Sequence, residues 1–120
     1  MYSRGVRGAI TLDNNTKEEI KSAVVELIGQ MLKENEIDKK DIAFAIFTLT
    51  DDLNADFPAK YARIECGFNN VPMMCYHELN VENSLKKCLR ILLNINTNKT
   101  QDEIKHIYLK GAKILREDIK

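Results

Sequence analysis

The chain reads as a single α+β domain spanning residues 1–120, with one long helix, one short helix and five strand-like stretches in the order β-α-β-(short helix)-β-β-β. Three observations predict it. Behind Thr16-Lys17-Glu18-Glu19, the apolar residues Ile20, Ala23, Val24, Leu27, Ile28, Met31 and Leu32 recur at the three-and-four spacing of one helical face. From Leu89 to Asn96 the period drops to two, with Ile91, Leu93 and Ile95 alternating against Leu92, Asn94 and Asn96. The third is size: 120 residues, 44% of them hydrophobic, suit one core. So few helices leave one face of the sheet uncovered, and an oligomer is the economical way to cover it.

Each element has a local reason. Residues Met1 to Leu12 mix Val6 and Ile10 with two glycines and predict a strand containing a bend. Thr16 and Glu19 form a capping-box pattern for the long helix, which Asn35 and Glu36 end. Ile42 to Thr50, with Phe44, Ile46 and Phe47, predicts a central strand. A polar loop, Asp51 to Asp56, leads into Pro58 at the first position of a short helix that Gly67 stops. Val71 to Cys75 is a further strand, and Pro72 puts it at an edge or at its end. Glu82 to Lys87 reads as a helical turn before the strand Leu89 to Asn96. Thr100 to Glu103 repeats the capping pattern, Ile104 to Leu109 reads as a last strand, and Lys110 to Lys120 is a charged tail.

Composition narrows the function. Eighteen basic residues balance eighteen acidic ones, so no global field draws the chain to nucleic acid or to an anionic membrane. No stretch matches a signal peptide or a membrane span. Cys66, Cys75 and Cys88 are odd in number and lack metal-ligand spacing, so neither a disulfide framework nor a zinc site is expected, and reduced cytoplasmic thiols are the simplest setting. The two histidines, His77 and His106, sit in no nucleophile-base pattern. Arg4-Gly5-Val6-Arg7-Gly8 lacks the third glycine and following helix of a nucleotide loop. What remains is arginine, lysine, one glutamate, a thiol and a tyrosine, a set able to bind carboxylates and stabilise charge.

Arg90 is the most informative of these. It is driven into the apolar run Lys87-Cys88-Leu89-Arg90-Ile91-Leu92-Leu93, and a charge entering a buried strand needs a partner. That partner is either a carboxylate of the same fold or an anionic ligand. With Arg4-Gly5-Val6-Arg7-Gly8-Ala9, Asp56-Phe57-Pro58-Ala59-Lys60-Tyr61-Ala62-Arg63 and Cys75-Tyr76-His77-Glu78, this segment resembles the small monofunctional chorismate mutases, the trimeric family distinct from the all-helical one. The match runs in register from Arg4 to Arg116.

The resemblance implies a mixed sheet with one long and short flanking helices, of a ferredoxin-like or Bacillus chorismate mutase-like kind. Three subunits would close into a pseudo-α/β barrel with sites at their interfaces. It implies the rearrangement of chorismate to prephenate in phenylalanine and tyrosine synthesis, with no cofactor and no metal. Arg90 would face the ether oxygen, where a guanidinium offers several donors in a fixed fork. Arg7 would pair with a substrate carboxylate, and Tyr108 would donate toward one. Glu78 and Cys75 would approach the ring hydroxyl. Phe57 and Ala59 would line a wall, with Lys60 and Arg63 holding the dianion. Met73, Met74 and Leu115 would add apolar wall, and Arg116 a gate at the mouth.

Each residue also has an ordinary reading: Arg7 as a surface strand arginine, Glu78 as a surface glutamate, Cys75 as a small buried hydrophobe, and Tyr108 as a core tyrosine. Met74 departs from the hydroxyl-bearing residue common in the family, and Asp51 and Glu117 depart from prolines, loosening the loop before Pro58 and the tail after Arg116. The rival reading is a trimeric module that binds a small carboxylate without transforming it. A lyase releasing pyruvate from a related cyclohexadiene is a third.

Overall fold

A computed structural model describes residues Met1 to Ile119, with side chains as far as Arg116. Five strands, β1 (Tyr2–Thr11), β2 (Ile42–Leu49), β3 (Met73–His77), β4 (Cys88–Thr97) and β5 (Ile107–Leu109), form one mixed sheet ordered β3-β2-β4-β1-β5. The β4 strand runs antiparallel to both β1 and β2, while β3 lies parallel to β2 and β5 parallel to β1. The centre is therefore β4; β2 is interior, one place from the β3 edge that Pro72 foreshadowed. The element order βαβαβββ is not the βαββαβ of a ferredoxin-like fold, so that half of the fold expectation is corrected.

Two helices, α1 (Lys17–Glu34) and α2 (Pro58–Cys66), pack on one face of the sheet. Ile20, Val24, Leu27 and Met31 of α1 meet Val6, Ile10, Phe47, Leu89, Ile91 and Leu93 in the main core. Contact there is close: a Cβ on Gly8 would stand 2.5 Å from Met31 Sδ and 3.1 Å from Leu27 Cδ1, so a larger residue would require the buried Met31 side chain to shift. That explains the glycine where a bend was expected: β1 pairs with β4 without interruption from Tyr2 to Thr11.

The helix boundaries follow local chemistry. Thr16 Oγ1 accepts the Glu19 amide at 3.1 Å, but the Glu19 carboxylate turns to the amides of Asp13 and Asn14 at 3.0 Å, so only half of the box closes. Asn35 caps α1 and is buried, donating to the carbonyls of Met31 and Lys105 and accepting the Lys105 amide at 2.7 Å. Pro58 opens α2, and Gly67 ends it in the left-handed conformation (φ +73°). The loop between β2 and α2 is not loose. Asn15 Oδ1 accepts the amides of Asn54 and Ala55, and Leu53 is fully buried.

Three expectations change in the second half of the chain. No helical turn forms between Glu82 and Lys87, where Asn83 (φ +64°) and Lys87 (φ +46°) take left-handed conformations. The last strand is only Ile107–Leu109, because Lys105 is drawn aside to Asn35. The charged tail is a 3₁₀ helix, Lys110–Ile119. Its Ala112 and Leu115, aligned by the three-residue turn, pack with Ala9, Cys88, Tyr108 and Leu85 in a second small cluster.

Candidate active site

Strand alternation divides the sheet into a helix-covered face and an open one. One cross-sheet row on the open face runs Tyr76, Thr48, Arg90, Ala9, Tyr108, by direct register between neighbouring strands. The adjacent row holds Met74, Ile46, Leu92 and Arg7. Arg7, Thr48, Arg90 and Tyr108 line a concavity of about 260 Å³ floored by Ala9, Ile46 and Leu92. Glu78 stands at its side, one residue past the end of β3, with its amide donating to Leu49 O at 2.9 Å.

The polar geometry is specific. Arg90 Nε lies 3.2 Å from Glu78 Oε2, with the two side chains 32% and 17% exposed. The N–H does not point at that oxygen, and Arg90 Nε is buried without a hydrogen bond. Thr48 Oγ1 donates to the same Glu78 oxygen at 3.1 Å. Among the described residues the Tyr108 hydroxyl is likewise buried and without a hydrogen-bond partner. The Arg7 guanidinium lies over the Tyr108 ring, its Cζ 6.0 Å from the centroid. Orphaned buried polar atoms are rare and mark groups waiting for a partner. Here two of them edge one concavity beside a second guanidinium.

Behind the site, hydrogen bonds fix where β4 begins. Thr50 Oγ1 accepts the Cys88 amide at 3.0 Å and donates to Asp52 Oδ1, while both Asp52 oxygens accept the Lys87 amide. Arg90 follows two residues later. Cys88 itself is sealed, and burial pushes its thiol up to about 11, against the pull of Arg90.

The remaining predicted residues are placed elsewhere on the chain. Met73 and Cys75 alternate to the other face of β3 and pack against the main core, and burial raises the Cys75 thiol. Phe57, 70% exposed, shares a second concavity with Asp56, Cys75, Tyr76 and His77. Lys60 is paired with Asp56 at 3.1 Å, Ala59 is half-buried, and Arg63 is exposed. Asp56 organises this corner: Tyr61 OH donates to it at 2.7 Å and the Phe57 amide at 2.8 Å, and its carboxyl falls to about 2. Met74 is exposed, its sulfur accepting from Tyr76 OH at 3.2 Å. Leu115 joins the cluster beside Tyr108, and Arg116 is exposed. Thr48, Thr50 and Asp52 were not singled out by the sequence reading; their one signal was a threonine among apolar residues of a strand.

Fold and site together define a small α+β protein whose open sheet face carries two arginines and a tyrosine hydroxyl around one concavity, with a carboxylate held beside one of the arginines. Comparison with known proteins gives that class its family. The family model for chorismate mutase type I matches residues 3–119. "Chorismate mutase AroH" of Bacillus subtilis (strain 168) is 38% identical over 119 residues, covering 99% of this chain and 94% of that one. Its namesake from Thermus thermophilus is 42% identical over 117 residues, covering 97% and 95%. A solved chorismate mutase from Clostridium thermocellum superposes with a TM-score of 0.89 at 42% identity, covering 92% of this chain and 97% of that one. The chain belongs to the type I chorismate mutases, and is thus an enzyme of the isomerase class.

Proposed function

We propose that the chain rearranges chorismate to prephenate by holding the substrate in its compact conformer against Arg90, at a site completed by a second copy of the chain. In this pericyclic step the ether C–O bond breaks as a new C–C bond forms within the same molecule. No atom leaves, no proton moves, and no nucleophile or cofactor is required. The protein's contribution is orientation and fixed positive charge at the oxygen that gains electron density.

The observation that carries this reading is the buried Arg90 Nε on an open sheet face, ion-paired with Glu78 yet without a hydrogen bond among the described residues. Arg90 reaches the ether oxygen and a carboxylate, Glu78 accepts from the ring hydroxyl, and Arg7 and Tyr108 hold a carboxylate. The reaction serves phenylalanine and tyrosine synthesis, and the three free thiols suit a reducing cytoplasm.

Two features support a homotrimer. The concavity at Arg90 is smaller than the roughly 300–1,000 Å³ of most ligand sites, as a half-site would be. Phe57, Lys60 and Arg63 lie at the start of α2 or within it, Cys75 packs against the helix-covered core, and none of the four lines the concavity at Arg90. A neighbouring subunit brings them to it, and the exposed apolar side chains Phe44, Leu92, Met74 and Tyr76 give such a neighbour an apolar face to cover. The trimer's three sheets then form the barrel-like core.

Incubating the purified chain with chorismate, while following loss of its diene absorbance and identifying the product, tests the reading. Prephenate without pyruvate supports it. Binding without turnover would favour a carboxylate-binding module, and pyruvate release a lyase.

A further inference from the structure

β5 pairs with β1 only from Gly8↔Ile107 onward, so the Arg7 amide lies just outside the ladder. Its N–H does not go unpaired: it donates to Nδ1 of His106 at 2.9 Å. One side chain thus stands in for the missing backbone acceptor at the residue whose guanidinium enters the site. The same strand pair sets the stacking of Arg7 on Tyr108. We infer that His106 is a positioning residue, which fixes β1 to β5 at Arg7 and so aims the Arg7 guanidinium, across the Tyr108 ring, at the substrate carboxylate. The inference rests on the reading of Arg7 as a carboxylate-binding residue.

The chemistry explains why an imidazole serves. Nδ1 accepts only while the ring is neutral with its proton on Nε2. Burial, and then the charge of Arg7, lower the pKa of His106 and keep that form populated. An asparagine offers an acceptor at much the same place through Oδ1; phenylalanine and alanine offer none.

The test is steady-state kinetics with chorismate for the whole chain and for R7A, H106N, H106F, H106A and R7A/H106F, with circular dichroism confirming the fold of each. Losing one hydrogen bond to the Arg7 backbone should raise KM about fivefold in H106F and H106A while kcat stays within about twofold. H106N should stay near the parent. In the R7A background, H106F should add nothing, because the residue through which His106 acts is gone. An equal KM increase in that background would overturn the inference in favour of a purely structural histidine, as would unchanged KM in both H106F and H106A, or an H106N no better than either. If R7A itself leaves KM unchanged, the reading of Arg7 fails and the inference falls with it. Should H106F not fold, H106A carries the comparison, alone and in the R7A background.

Discussion

Arg90 Nε and Glu78 Oε2 stand 3.2 Å apart as an ion pair without a hydrogen bond, and the glutamate oxygen is taken instead by Thr48 at 3.1 Å. The pairing offsets the charge of a half-buried guanidinium while leaving the Nε–H among its donors free. A fully hydrogen-bonded pair would have to break before substrate could use them. The arrangement suits electrostatic catalysis, in which donors are in place before charge develops.

Arg90→Ala should therefore cut kcat/KM at least about a hundredfold, roughly 3 kcal/mol of barrier, with the fold intact. Arg90→Lys should recover little, since a point charge on a flexible stem does not reproduce the fork. Chorismate kinetics alongside circular dichroism measure both, and near-parental activity in either variant contradicts the mechanism.

Glu78→Gln should lower kcat/KM about tenfold, through loss of a charged acceptor for the ring hydroxyl. Thr48→Val should lower it less, because Thr48 orients the carboxylate but leaves its charge in place. A Thr48→Val loss larger than that of Glu78→Gln would reverse these roles.

Tyr108→Phe should separate binding from stability. It removes a buried hydroxyl that has no hydrogen-bond partner among the described residues, so thermal unfolding should show no loss, and a gain of up to about 1 kcal/mol. KM should rise at the same time, because on the proposed reading that hydroxyl donates to the substrate carboxylate. A destabilised variant with unchanged KM would show that the hydroxyl serves the fold instead.

The corner at the start of α2 should respond to pH at both ends. Hydrogen bonds from Tyr61, Phe57 and Lys60 hold the Asp56 carboxyl down to about 2, from an ordinary 3.8. A value lowered by folding adds stability above pH 3.8 that drains as pH falls toward 2. The same carboxylate raises the Tyr61 hydroxyl to about 12, from 10, so stability present below pH 10 is lost as pH rises through 12. Unfolding curves across these windows should flatten at both ends in Asp56→Asn, and in Tyr61→Phe at the alkaline end and partly at the acid end, where Phe57 and Lys60 still bond the carboxylate. Unaltered curves would remove the pair from the account.

What the sequence made legible was chemistry between near neighbours. The Thr16 cap, Pro58 at the start of α2, Gly67 at its end and the two-residue alternation of β4 all act within a turn or a strand, and each stands where it was read. Long-range partners were hidden. Glu82 to Lys87 has helix-forming composition, yet Asp52, 35 residues away from Lys87, takes its amide and Lys87 turns left-handed. Lys105 was read as strand, but Asn35, 70 residues distant, holds it off the ladder. Arg90 announced itself as a charge in an apolar run; that Thr48 and Glu78 would meet there depends on the register of three strands, which no local pattern encodes.

On the proposed reading, Arg90 of one chain works with Lys60 and Arg63 of another. The most direct measurement mixes two impaired variants, Arg90→Ala and the double variant Lys60→Ala/Arg63→Ala, under conditions that let subunits exchange, and assays prephenate formation. Sites that combine the intact half of each variant should form, and activity should rise clearly above the sum of the two alone. If exchange occurs and activity does not rise, the site lies within one chain and the account is contradicted.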